Sequence, residues 1–303
     1  MRTWVVDQQG SGDFVTIAEA IAAVPDQSAD ISLIEVRNGE YREKINVSEL
    51  KRNIRLVGES RDQTIIIYDD SVSRRKPDGN MMTMYETATF TVLANDFTAE
   101  RITFANDASR IQSQGQAIAL EAAGDRLIFR DVAVLGHQDA LYTPGHGRQL
   151  YDRCYIEGTV DFIFGSATAV FDHCVIHSLD RHNGYVTAAS TAEDQPYGYV
   201  FLNCRLTTDA PTATVYLGRP WRPHGSAIFV QCWIDHHIRP VGWDNWRDPD
   251  REKTARYAEY GCSGPGSDKS ERAPWAKELT AEQVAAMTVS NILRGDDQWQ
   301  PEL

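Results

Sequence analysis

Residues 151–176 read YDRCYIEGTVDFIFGSATAVFDHCVI, and the stretch opens and closes on the same six-residue pattern. In Tyr151-Asp152-Arg153-Cys154-Tyr155-Ile156 and Phe171-Asp172-His173-Cys174-Val175-Ile176, an aromatic residue precedes two polar ones, a small apolar one and, two positions later, another apolar one. The pattern recurs in Phe129-Arg130-Asp131-Val132-Ala133-Val134, Phe201-Leu202-Asn203-Cys204-Arg205-Leu206 and Phe229-Val230-Gln231-Cys232-Trp233-Ile234, with a weaker copy at Thr98–Phe104. Anchored on the small apolar position, the copies fall at 102, 132, 154, 174, 204 and 232, in steps of 30, 22, 20, 30 and 28 residues. Short internal repeats signal a solenoid, and irregular steps suit one whose turns vary while its strands stay in register. A doubly wound α/β fold needs a helix in each step, and none is written there. The expectation is an all-β solenoid.

The flanks fit that expectation. Ile31–Val36, Asn53–Gly58 and Thr64–Tyr68 are short β-branched runs between turn residues. Before them, Trp4-Val5-Val6 reads as a short strand, and Ile17, Ile21 and Val24 share one face of a helix that Pro25 ends. After Gly242–Trp246 the chain becomes loop-rich, and Thr280-Ala281-Glu282-Gln283 has the form of a capping box, with Leu279 and Val284 placed to staple a closing helix. Solenoid ends need covering, so both helices are expected as lids on one catalytic domain over 1–303: an N-terminal cap (1–30), a β-helix (31–245), and C-terminal loops with a closing helix (246–303).

The 303 residues are 42% hydrophobic and 24% charged, ample for a large core, and carry a formal net charge of −13. That charge argues against nucleic acid and anionic membrane as partners. No apolar run approaches the length of a transmembrane helix, and MRTWVVDQQGSGDF lacks the marks of a signal peptide. The expected location is secreted or periplasmic for a processed mature chain and cytoplasmic for a full-length one.

Four of the five cysteines occupy the repeat's anchor position. Stacked positions on adjacent parallel strands lie about 4.8 Å apart, within reach of a disulfide. Cys154 and Cys174 are thus either bridged or part of a column of buried thiols, and Cys262, in Gly261–Gly266, is left over. No cysteine or histidine spacing suggests a metal site, and no cofactor is expected.

Two aspartates stand out because each interrupts an apolar strand-like run: Asp139 in Gln138-Asp139-Ala140-Leu141-Tyr142 and Asp161 in Val160-Asp161-Phe162-Ile163-Phe164-Gly165. An aspartate taken at random is more often a turn cap or a structural ion pair. These two, however, each lie seven residues after consecutive anchors, Val132 and Cys154, which puts them at equivalent places on adjacent coils. Carboxyls so close cannot both ionise freely, and the pair divides into an acid and a base or nucleophile. Gln116, Gln138 and Arg219 appear in similar apolar company. A glutamine amide can stabilise an oxyanion without titrating, and an arginine can hold one carboxylate ionised. Together they read as an acyl-transfer constellation.

Gly39-Glu40-Tyr41-Arg42-Glu43, Gln116-Ala117-Ile118-Ala119-Leu120, Gln138-Asp139-Ala140-Leu141, Asp161-Phe162-Ile163-Phe164-Gly165 and Leu217-Gly218-Arg219-Pro220-Trp221 resemble the five signature segments of pectin methylesterases, in that family's order. The likeness runs from Gly10-Ser11-Gly12-Asp13-Phe14 to Asn291-Ile292-Leu293. It implies a right-handed parallel β-helix that hydrolyses methyl esters of pectin or oligogalacturonides. Asp161 is the implied nucleophile, Asp139 the general acid and base, Gln116 and Gln138 the oxyanion donors, and Arg219 the group orienting Asp161. Tyr142, Arg148, Val160, Phe164 and Trp221 match positions lining the sugar cleft. The chain departs from the family at Ala140, where Thr or Ser is usual, at Thr187-Ala188-Ala189-Ser190 in place of Thr-Ala-Gln, and across Asp69–Tyr85. The Ala140 departure removes a small hydroxyl beside the acid. A monomer is expected.

Two other readings share the residues. Carboxylates about 5 Å apart also suit a retaining glycosidase, and β-helices host polysaccharide lyases; new reducing ends or an unsaturated product would mark either. A carbohydrate-binding protein with a relict site would bind sugar without turnover. Oxyanion donors beside the acid pair favour ester chemistry.

Overall fold

The computed structural model describes residues 2–108 and 115–302, and the repeat becomes a right-handed parallel β-helix, the hand that parallel crossovers take almost without exception. One coil runs from Arg148–Asp152 through Tyr155–Gly158 to Ile163–Gly165, and Thr168–Asp172 begins the next. Stacked coils form sheets of eleven, eight and seven strands, with every strand pairing parallel in the described residues.

The repeat pattern is the coil's cross-section. Phe129, Tyr151, Phe171, Phe201 and Phe229 stack as an internal ladder, with successive ring centroids 4.9, 4.7, 4.5 and 4.4 Å apart and planes within 12°. Each such pair adds about 0.5–1.5 kcal/mol beyond burial. The residue before each anchor turns the corner in the left-handed region: Arg101, Asp131, Arg153, His173, Asn203 and Gln231 have φ between 49° and 54°. Asn, Asp and His tolerate that region best among the residues with a Cβ.

Of the two alternatives for Cys154 and Cys174 the bridge is absent and the thiol column is present, since all five cysteines are free. Each thiol instead donates to the carbonyl of the aromatic one coil back: Cys154 to Phe129, Cys174 to Tyr151 and Cys204 to Phe171, all at 3.2 Å. Equivalent side chains on stacked parallel strands point the same way, so Cα spacing allows a bridge that the Cβ directions refuse. Cys262 extends the column, its thiol donating to Phe229 O at 3.5 Å.

Strands also pass the expected limits of 31–245, with Arg2–Val6 at one end of the eleven-stranded sheet and Arg256–Tyr260 and Lys277–Glu278 at the other. The helix Ile17–Ala23 starts at Thr16, and the Glu43 carboxylate accepts the Ile17 and Ala18 amides, both at 2.9 Å. Ile17, Ile21 and Val24 pack into the core with Trp4 and Ile45, at the first coils. The Thr280 capping box forms, but the helices Ala281–Ala285 and Val289–Leu293 are not an end lid. Val289, Ile292 and Leu293 lie against Leu150, Val170 and Val200 on the side of the eleven-stranded sheet, whose outward face is apolar there.

Candidate active site

The seven-stranded sheet carries the candidate site. Leu141 registers with Ile163, which places Asp139 and Asp161 at the same corner of adjacent coils, and the Asp139 amide donates to Val160 O at 3.1 Å. Both acids adopt left-handed backbone, with φ of 64° and 51°. Both are nearly withdrawn from water, at 3% and 7% exposure. Ala140 and Phe162 follow and point the other way, into the core. The hydroxyl that Ala140 lacks would therefore lie inside the coil, next to Gly136, rather than beside the acid.

The partners of the two acids differ. Arg219 Nε and Nη2 donate to Asp161 Oδ1 and Oδ2 at 2.8 and 2.6 Å, a two-pronged ion pair. Asp139 accepts from Gln116 Nε2 at 2.6 Å and has no cation at hydrogen-bond distance among the described residues. Burial, with the charge of Asp161 second, pushes the Asp139 carboxyl well above the usual range. Burial raises Asp161 too, and the bonds and charge of Arg219 oppose that rise, so it stays raised but less than Asp139. The arrangement therefore favours a protonated Asp139 beside an ionised Asp161.

A register column explains how Arg219 reaches. Glu121, Tyr142, Phe164, Ala188 and Arg219 align across five strands. Ala188 is short, and the arginine extends over it to Asp161 on the coil beyond. Two motif glycines allow the packing. A Cβ on Gly165, at φ 127°, would sit 2.3 Å from Thr143 O, and one on Gly218 would sit 2.0 Å from Thr187 Oγ1.

The guanidinium carbon of Arg219 lies 3.8 Å from the ring centre of Tyr185 and 3.9 Å from that of Trp246, so two aromatic faces hold its plane. Sequence reasoning missed both, because Trp246 comes from the loop beyond the repeat and Tyr185 looks like any strand aromatic. Tyr142 stacks on Phe164 at 4.5 Å, Phe164 meets Trp221 edge-on at 5.8 Å, and Tyr85 adds a further ring 5.8 Å from Tyr142. Gln138 and Val160 are half-buried at the corners beside the acids. Arg148 is not brought to this cluster: its guanidinium is occupied by Asp125 and Asp297 and by the carbonyl of Arg294, and it fastens the C-terminal turn.

The pectinesterase family model matches residues 3–296. Pectinesterase 31 of Arabidopsis thaliana is 39% identical over 285 residues, covering 92% of this chain and 88% of its own. Among solved structures, the pectin methylesterase from carrot superposes with a TM-score of 0.88 at 33% identity, covering 98% of this chain and 94% of its own. Pectin methylesterase PemA from Erwinia chrysanthemi gives 0.86 at 32% identity, covering 100% and 98%. With an acid pair, amide and arginine on one sheet corner and relatives matching along its whole length, the chain belongs to the pectinesterase family.

Proposed function

We propose that the protein is a pectin methylesterase, a carboxylic ester hydrolase that converts the C6 methyl esters of homogalacturonan to free acids and methanol through an acyl-enzyme on Asp161. The observation that carries this reading is the asymmetry of the acid pair: the Asp161 carboxylate is held by Arg219 through two bonds, while the buried Asp139 beside it has no cation at hydrogen-bond distance among the described residues. An ionised, oriented carboxylate next to a protonated one is what nucleophilic ester cleavage needs.

In this mechanism an Asp161 oxygen attacks the ester carbonyl, and the electron pair displaced onto oxygen is met by the amides of Gln116 and Gln138. Collapse of the tetrahedral species expels methoxide, which takes the Asp139 proton and leaves as methanol. The product is an anhydride between Asp161 and the galacturonate. Asp139, now a carboxylate, takes a proton from water as the water attacks the anhydride, which releases the sugar acid and restores both residues. The sugar chain is held over Tyr142, Phe164 and Trp221, whose faces suit pyranose rings, with Val160 at the corner.

The test is methanol release from methylated pectin. Asp161→Ala should abolish it and Gln138→Ala should reduce it about a hundredfold or more, the usual loss for one oxyanion donor. A wild-type protein that frees no methanol from pectin or from methylated oligogalacturonides of any length would overturn the reading.

A further inference from the structure

Outside the acid pair, the contact without an assigned role is a thioether beside the oxyanion amide. Residues 81–84 read Met-Met-Thr-Met and hold three of the five methionines of the chain. They begin in a hairpin in which Arg75 bridges Met81, and the hairpin is hung on the site's own backbone, with Val72 N donating to Gln116 O at 3.1 Å. The single turn Met84–Glu86 is fixed by the capping box of Thr83 and Glu86. Met84 Sδ thereby comes 3.5 Å from Gln116 Nε2.

Gln116 Nε2 has two hydrogens. One is committed to Asp139 Oδ2 at 2.6 Å, and the other faces the sulfur. A thioether is a weak acceptor, so it occupies the second hydrogen in the resting site yet yields it readily to a charged oxygen. We propose that Met84 is a positioning residue for Gln116 and a sulfoxidation site through which a hydroperoxide switches the esterase off. The inference rests on Gln116 acting as an oxyanion donor. In the modification the sulfur lone pair attacks one peroxide oxygen, an S–O bond forms as the O–O bond breaks, and the sulfur loses two electrons while hydrogen peroxide leaves as water. The sulfoxide oxygen is a strong acceptor aimed at the same amide hydrogen, and it competes with the oxyanion for it. Met84 is half-buried on the apolar cluster that contains Tyr142 and Phe164, whereas Met81 is 43% exposed, so the group continues from the surface to the site.

The experiment exposes the intact protein to hydrogen peroxide and follows methanol release together with the mass of the 81–84 peptide. Conversion of Met84 to the sulfoxide should lower kcat about tenfold or more with KM held within about twofold, the pattern for an interaction made in the transition state. Methionine sulfoxide reductases should restore the rate. Met84→Leu should keep its own untreated rate through the same treatment, while Met81→Leu and Met82→Leu should remain sensitive. Full activity with Met84 oxidised, equal loss in Met84→Leu, or a Met84 that stays a thioether while Met81 and Met82 oxidise would each overturn the proposal. An untreated enzyme that frees no methanol would instead overturn the esterase reading.

Discussion

Replacing Arg219 with glutamine isolates what the guanidinium does for Asp161. The arginine bonds both carboxylate oxygens, at 2.8 and 2.6 Å, while Asp161 is 7% exposed. Removing one partner of a buried ion pair costs about 3–5 kcal/mol, because the remaining charge is left uncompensated. At about 1.4 kcal/mol per pH unit, that raises the Asp161 carboxyl by about 2–4 units when the whole cost falls on its ionisation. The sign follows from which form reacts: the nucleophile is the anion, and a raised carboxyl loses its anion as pH falls through the higher value. In methanol-release profiles, the acid limb of kcat/KM should move upward by about 2 units in Arg219→Gln. The rate at slightly acid pH should fall about a hundredfold and recover toward alkaline pH. Arg219→Lys, which keeps the charge but only one prong, should shift the limb less. An acid limb that stays in place while activity falls equally at every pH would refute the electrostatic role.

Three further substitutions probe other parts of the account. Ala188→Leu puts a branched side chain where Arg219 passes over Ala188 to reach Asp161, and activity should fall about a hundredfold or more while overpacking costs only about 1–3 kcal/mol in urea unfolding; near-wild-type turnover would show that the crossing is not needed. Asp139→Asn keeps the shape of the acid but carries no transferable proton, so kcat should drop by about 10²–10⁴ without a lower melting temperature, and a small loss would move general acid catalysis elsewhere. His237 is fully buried, its ring nitrogens have no hydrogen-bond partner among the described residues, and burial first of all lowers it to about 4. Its folded value lies below the unfolded one of about 6.5, so its contribution is intact above pH 6.5 and is lost as pH falls toward 4, by about 3 kcal/mol. Urea midpoints at pH 7 and pH 4 should converge in His237→Phe, and an unchanged acid loss in that variant would assign it to other groups.

The parts of the molecule that repeat were legible in its sequence. The ladder Phe129–Tyr151–Phe171–Phe201–Phe229 requires an aromatic at one place in each coil, and this requirement is written in the chain as a pattern. The acid pair was legible for the same reason, since equal offsets from consecutive anchors become equal corners of adjacent coils. Contacts that depend on direction rather than position were not. Cysteine spacing permits a bridge, whereas the shared direction of the Cβ atoms decides for thiols donating to carbonyls. Arg148 looked available for substrate until the C-terminal turn supplied Asp297. Trp246 meets Arg219 only because the loop after the repeat folds back over the sheet, and Tyr185 meets it as one of many strand aromatics. The closing helices announce their caps locally, but the face they cover is set by Leu150 and Val170 on distant coils.

The central claim is that two equivalent aspartates hold opposite protonation states. Carbon-13 NMR titration of aspartate-labelled protein, with the two signals assigned from Asp139→Asn and Asp161→Asn, tests it directly. Asp161 should be ionised across the active range while Asp139 keeps its proton to a pH well above the ordinary carboxylate value. An Asp139 that ionises first, or two carboxyls that titrate together near pH 4, would contradict the account.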